Sequence, residues 1–294
     1  MGTIEAPLVV GVDGSDAGFR AADWAADEAV RHGLALRVVY ASLWQHYEGA
    51  ALATGLGRPD GQVFAENVVG TAAERIRRRT PDVKVVTDVV PREAVSALLE
   101  EGRHAFALVT GSRGRGDISG LLLGSVGLAV AARSHCPVVV VRGDRAGLAG
   151  THERITLGVG DADVDAAAVR FAFHEAELRG CTLDVVCAWR RPAHETAAHP
   201  LLAGDPARYH EERASALLDR ALEAAVRDHP DVRVRRATVE GPARKVLLDR
   251  SAAADLLVVG ARRRHSQFGT QLGRVAHTAL HHAACPVAVV PRTP

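Results

Sequence analysis

The chain is written twice, and that fact constrains its fold more than any other. "VVGVDGSDAG" from Val9 returns as "TLGVGDADVD" from Thr156, and "RHGLALRVVYA" from Arg31 as "LRGCTLDVVCA" from Leu178, both 147 residues on. "TPDVKVVTDVV" from Thr80 returns as "HPDVRVRRATV" from His229, and "CPVVVVR" from Cys136 as "CPVAVVP" from Cys285, now 149 residues on. A steady offset over most of each half means duplication of a whole domain rather than a short repeat array. The expected domains are therefore 1–146 and 147–294. The polar, glycine-containing segment "RGDRAGLAGTHER", Arg142 to Arg154, reads as the linker between them.

Within the first half, short apolar runs alternate with longer amphipathic stretches. The runs are Leu8–Val12, Ala35–Ala41, Val83–Val90, Phe106–Thr110 and Val138–Arg142. Continuous Val, Leu and Ala, rather than strict alternation, suits strands covered on both faces of a parallel sheet. The stretches Asp16–His32, Gln62–Arg79, Arg92–His104 and Ser125–Ser134 read as helices. Gly33, and Gly180 in the repeat, stand where a helix takes a left-handed cap. The expectation is an α/β fold: two tandem, doubly wound, Rossmann-like domains, each with a five-stranded parallel sheet and right-handed crossovers.

Composition narrows the function classes. Up to Arg145 there are 16 basic residues against 17 acidic ones, and 20 against 18 thereafter. Neither half carries the basic excess of a nucleic-acid binder, so none is expected as a partner. No apolar run is long enough to span a membrane. No basic region followed by an apolar segment opens the chain, so no secretory leader is expected. Cys136, Cys181, Cys187 and Cys285 show neither CxxC nor framework spacing and read as buried thiols in a reducing, cytoplasmic compartment.

In an open parallel sheet, ligands bind where strand carboxyl ends meet a topological switch point. Two glycine-rich turns qualify: "VGVDGSD" after the first strand and "VTGSRGRGDISGLLLGSVG", Val109 to Gly127, after the fourth. Glycine lets backbone approach a ligand closely. Gly124 and Ser125 open a helix whose free amides and positive dipole end suit phosphate oxygens.

The spacing G-x2-G-x9-G-S, met by Gly111, Gly114, Gly124 and Ser125, resembles the ATP-binding signature of the universal stress proteins. "VGVDGS" and "CPVVVV" resemble the same family, over nearly the whole chain. The resemblance implies a stress-response protein that binds ATP, with Mg²⁺ or Mn²⁺ as the accompanying metal. It implies that Asp13, with Gly11 and Val12 before it, lies beside the ribose or the metal-phosphate group. Ala41 would line the adenine pocket. Gly111, Ser112, Arg113, Gly114, Gly124, Ser125 and Val126 would surround ribose and phosphates. The last strands, "PVVVV" and "PVAVV", are apolar and edge-capable, so the two domains are expected to pair through them; the resemblance implies a homodimer as well, and the protein client is not readable.

The second copy breaks the motif. Gly160 stands for Asp13, Arg263 for Gly114 and Arg274 for Ser125, while Gly260 and Gly273 are kept. The expected reading is a degenerate site, with one nucleotide per chain. The alternative is an altered anion site using Arg262, Arg263 and Arg264, since guanidinium geometry suits phosphate. Asp13, Asp16 and Asp117 offer no His-carboxylate pair, and neither Lys84 nor Lys245 sits in a Walker motif, so no catalytic residue is assigned and slow ATP hydrolysis is the most that is expected. Two further readings are a slow hydrolase and a nucleotide-independent adaptor.

Other signals read as structure. His277, His281 and His282 mimic metal-ligand spacing but read as a helix face, and "RIRRR", Arg75 to Arg79, as a solvated helix end. The two RGD tripeptides, at Arg115 and Arg142, read as turns. Trp44, His46 and Tyr47 lie in a connection long enough for a lid or a mobile segment.

Overall fold

The computed structural model describes residues 6–43, 60–112, 124–161, 165–191, 206–261, 263–266 and 269–292. The chain divides into two compact units, Met1–Arg142 and Gly143–Pro294.

Unit 1 runs β1 (Leu8–Gly11), α1 (Asp16–His32), β2 (Leu36–Ala41), α2 (Asp60–Arg79), β3 (Val85–Val90), α3 (Ala94–Glu101), β4 (Ala107–Gly111), α4 (Ser125–Arg133) and β5 (Val138–Val141). Its strands are all parallel, in the order β3-β2-β1-β4-β5. The order reverses between β1 and β4, in register from Leu8 opposite Ala107 to Gly11 opposite Thr110. That is where the two glycine turns meet.

Helix α1 shows how local chemistry sets an element's bounds. The Ser15 hydroxyl accepts from the Gly18 amide at 3.0 Å, closing its first turn. Gly33, at φ 65°, turns the chain out and donates to the carbonyls of Ala29 and Val30. The expected solvated end of α2 is partly otherwise. Arg75 pairs with Asp23 at 2.5 Å and Arg79 with Asp27 at 2.6 Å, both across to α1, so the rungs hold two helices together.

Unit 2 runs α5 (Arg145–Ala149), β6 (Arg154–Gly158), α6 (Ala166–Arg179), β7 (Thr182–Trp189), α7 (Pro206–Asp228), β8 (Arg233–Glu240), α8 (Ala243–Ser251), β9 (Leu256–Gly260), β10 (Arg263–Ser266), β11 (Gly269–Leu272), α9 (Arg274–His282) and β12 (Val287–Val290). Its parallel sheet repeats the first, in the order β8-β7-β6-β9-β12.

The two units meet between Arg142 and Gly143, inside the segment read as the linker. The expected linker is not open chain: Asp144 caps α5 by accepting from the Gly147 amide at 2.8 Å, its own amide donates to Ala284, and Arg154 already starts β6. The second unit also has an antiparallel hairpin, β10–β11, that the sequence reading did not foresee. The connection bearing Trp44, His46 and Tyr47 lies outside the described residues.

One ion pair is duplicated with its polarity reversed, half-buried in unit 1 and with only its carboxylate buried in unit 2. In unit 1, Arg37 on β2 pairs with Glu101 of α3 at 2.7 Å and with Asp88 of β3 at 2.6 Å. In unit 2 the same places hold Asp184 on β7 and Arg250 of α8, 2.5 Å apart. All four cysteines are buried, and burial pushes the thiols of Cys136, Cys181 and Cys187 up. Among the described residues, no helix is long and apolar enough to cross a membrane.

Candidate functional site

At the switch point of unit 1 the strand ends open onto a cavity of about 300 Å³, at the lower end of the range for small-ligand sites. Its position follows from the turn after β1. The Asp13 carboxylate accepts the Ser15 amide at 3.0 Å and the Ser15 hydroxyl at 2.6 Å, which fixes the turn and aims α1 away from the strand. Opposite, β4 ends at Gly111, where a Cβ would lie 2.7 Å from the carbonyl carbon and oxygen of Ala17. Only glycine lets β4 come this close to the first turn of α1. Ser112 then donates to the Val141 carbonyl and accepts the Gly124 amide, so the ends of the glycine loop are pinned together. Gly124 precedes α4 with no side-chain cap, leaving the first-turn amides of that helix without an intrahelical partner.

Of the residues expected at the site, Gly11, Val12, Asp13, Ala41, Gly111, Gly124, Ser125 and Val126 line this one cavity. Ser112 does not line it; it closes the loop behind. Arg113, Gly114 and Asp117 lie outside the described residues. Sequence reasoning missed Gly18, Val39, Ala94, Leu98, Thr110 and Gly127, which complete the wall. Val39 and Leu98 make one side apolar, whereas Asp13, Ser125 and the start of α4 make the other polar. A slot with an apolar flank and a polar, amide-rich end can take a flat heterocycle bearing an anionic tail.

Helix α3, which brings Ala94 and Leu98, is held by Glu93. Its carboxylate accepts the amides of Val95 at 2.9 Å and Ser96 at 2.8 Å. Burial works against that charge, but these two amides and the Ser96 hydroxyl outweigh it, so the carboxyl titrates below its ordinary value. A depressed folded-state pKa stabilises above the unfolded value and loses that contribution as pH falls through the folded one. Glu93→Gln is expected to cost about 0.5–1 kcal/mol at neutral pH, the size of a lost cap. The difference should fade in acid, as thermal unfolding from pH 7 to 3 would show.

Unit 2 repeats the cavity, at about 270 Å³, from corresponding positions. Gly158, Val159 and Gly160 stand for Gly11, Val12 and Asp13, and Asp165 for Gly18. Gly260, Gly273 and Val275 keep their places, while Arg274 replaces Ser125. Arg262 lies outside the described residues, and Arg263 and Arg264 fall in β10. His277, His281 and His282 lie on α9, with His281 buried and its ring 4.5 Å from that of His277. Among the described residues, no side-chain group close enough to share a metal includes them.

The universal stress protein family matches this chain twice, over residues 6–142 and 151–291. A universal stress protein of Mycobacterium tuberculosis is 33% identical, with 96% of both chains covered. A second from that organism is 31% identical, covering 89% of this chain and 91% of its own. The crystal structure of a universal stress protein from Archaeoglobus fulgidus superposes with a TM-score of 0.67 at 18% identity, over 99% of this chain and 100% of that one. At that identity the likeness speaks for the fold.

Proposed function

Since the chain belongs to the universal stress protein family, as a tandem two-domain member, we propose that its N-terminal domain binds ATP in the cavity between β1 and β4. The observation that carries the reading is convergence. Residues from the end of β1, the end of β2, the end of β4 and the start of α4, chosen for their motif, surround one cavity at the switch point. In this reading Val39, Ala41 and Leu98 flank the adenine, and Asp13 faces the ribose or the metal-phosphate group. The loop from Gly111 through Arg113 and Gly114 to Gly124, with Ser125 and Val126, takes the phosphates. The lining suits ATP: its polar end carries the Ser125 hydroxyl and the first-turn amides of α4, which have no intrahelical partner. Mg²⁺ or Mn²⁺ would accompany the phosphates. The protein acts by holding nucleotide in a stress response; catalytic turnover forms no part of the reading. A homodimer and a cytoplasmic location are further parts of it that rest on the resemblance alone.

Calorimetric titration with Mg-ATP tests this. Gly114→Arg, which writes the second domain's residue into the first, is expected to weaken binding at least tenfold, about 1.4 kcal/mol. Asp13→Ala should weaken it in the presence of metal. Unchanged affinity in both would place the nucleotide elsewhere.

A further inference from the structure

The outer edges of the two sheets differ in what they offer another strand. Among the described residues, β3 pairs only with β2 and ends the first sheet; β8 pairs only with β7 and ends the second. The Leu36 amide donates to the Lys84 carbonyl, and the Ser42 amide to the Val90 carbonyl. Even-numbered residues of β3 therefore turn their backbone groups toward β2, and Val85, Thr87 and Val89 turn theirs outward. No described residue meets those outward groups with a backbone hydrogen bond. Such an edge is a template for a further strand unless charge or proline blunts it.

Side chains blunt one edge and not the other. Lys84, Val86 and Asp88 share one face of β3, the face on which Asp88 meets Arg37. Val86 is 40% exposed, with a cation two residues before it and an anion two residues after. On β8 the same places hold Arg233, Arg235 and Ala237: Arg37 lies opposite Val86, and its counterpart Asp184 opposite Arg235.

A second β3, laid antiparallel about a two-fold axis, must set odd-numbered residues against odd-numbered ones, because those carry the outward backbone groups. Centring the axis on Val86 puts Val85 opposite Thr87 of the second copy, where the two exchange hydrogen bonds. It also puts Lys84 opposite Asp88 on both sides of the axis, and Val86 against Val86 as a closely spaced pair. Centring on Thr87 would set Asp88 against Val86 and leave Lys84 facing Val90. Centring on Val85 would set Asp88 against Asp82. On β8 the first register would press Arg235 against Arg235, like charges directly opposed.

We propose that β3 is a self-docking edge: two copies of this chain associate by antiparallel β3–β3 pairing centred on Val86, whereas Arg233, Arg235 and Arg236 keep β8 from doing the same. The inference rests on the homodimer of the reading above, to which it gives a surface, and not on the nucleotide.

Sedimentation velocity of the full chain over a range of concentrations tests the junction. A reversible dimer of micromolar strength is expected, since two short strands make less than a standard interface. Val86→Lys, which gives β3 the charge that β8 carries there, should weaken dimerisation about tenfold or more. Lys84→Glu, which opposes two carboxylates, should weaken it as well. Both side chains are exposed, so neither change should move the unfolding temperature. The register has its own reporter, because all four native cysteines are buried. With diamide as the oxidant that takes up the two thiol hydrogens, Val86→Cys should join two chains by a disulfide. Thr87→Cys should not, because in this register it faces Val85 and lies diagonal to its own copy. A wild-type dimer that Val86→Lys leaves intact would refute the β3 junction and leave the homodimer to another surface. Equal cross-linking at 86 and 87 would refute the register. A chain that stays monomeric at every concentration would contradict the homodimer itself.

Discussion

Replacing Gly111 by alanine is expected to destabilise the N-terminal domain by about 1–3 kcal/mol and to weaken ATP binding on the order of a hundredfold. The added Cβ would lie 2.7 Å from backbone atoms of Ala17 and 3.0 Å from the Gly18 amide nitrogen. Backbone cannot rotate aside, so the end of β4 and the first turn of α1 must part. Those two segments are opposite walls of the cavity, and the loop that follows Gly111 is carried with them. A gentler change marks the contrast. A Cβ on Gly11 would meet only the tip of Leu98, at 3.0 Å, and a leucine can shift. Gly11→Ala should therefore cost less in both stability and affinity. Thermal unfolding and calorimetric titration of the two variants measure the difference.

The reversed ion pair gives the second large effect. Asp184 lies on β7 and is 2% exposed, and Arg250 is its charged partner at 2.5 Å. Arg250→Ala leaves a buried carboxylate without that partner, a change that typically costs about 3–5 kcal/mol. Because the Arg250 side chain is 35% exposed, water recovers part of the loss, and about 2–4 kcal/mol is expected here. The first domain supplies the rescue. Asp184→Arg combined with Arg250→Glu copies Arg37 and Glu101, and should restore most of the lost stability. Full recovery is not expected, because Arg37 also pairs with Asp88, whose register counterpart is Ala237. Urea unfolding read by Trp189 fluorescence, in a chain with Trp24 and Trp44 changed to Phe, isolates the C-terminal domain. A reversed pair no more stable than Arg250→Ala would show that the two sites are not equivalent.

Much of this architecture was legible because the chain states it twice. Helix α1 ends where Gly33 predicts, and the apolar runs give strands within one or two residues at their ends. Burial on both faces makes such runs unmistakable, whatever the loops do. The linker was legible from glycine and charge, and falls between the two family matches; the short helix inside it, set by the Asp144 cap and the hold on Ala284, was not. The hairpin was invisible because Arg263–Ser266 carries no apolar alternation.

The site divides in the same way. Backbone turns announce themselves through glycine, so Gly11, Gly111 and Gly124 were found. Val39, Ala94 and Leu98 come to the cavity only through packing, from strands and helices far apart in sequence. Asp165 had a signal that went unread: aligning the halves at the 147-residue offset puts it opposite Gly18, and the Asp–Gly exchange with Gly160 then stands out. A motif scan asks what sits at each expected position. It does not ask where a lost carboxylate has gone.

The central claim is that one ATP is held in the N-terminal cavity. Its most direct test is the ATP stoichiometry of the full chain saturated with Mg-ATP, counted after denaturation and separation of the released nucleotide. One ATP per chain in the wild type, falling to none in Ala94→Phe, is the predicted result. Two per chain, or one that survives Ala94→Phe, would contradict it.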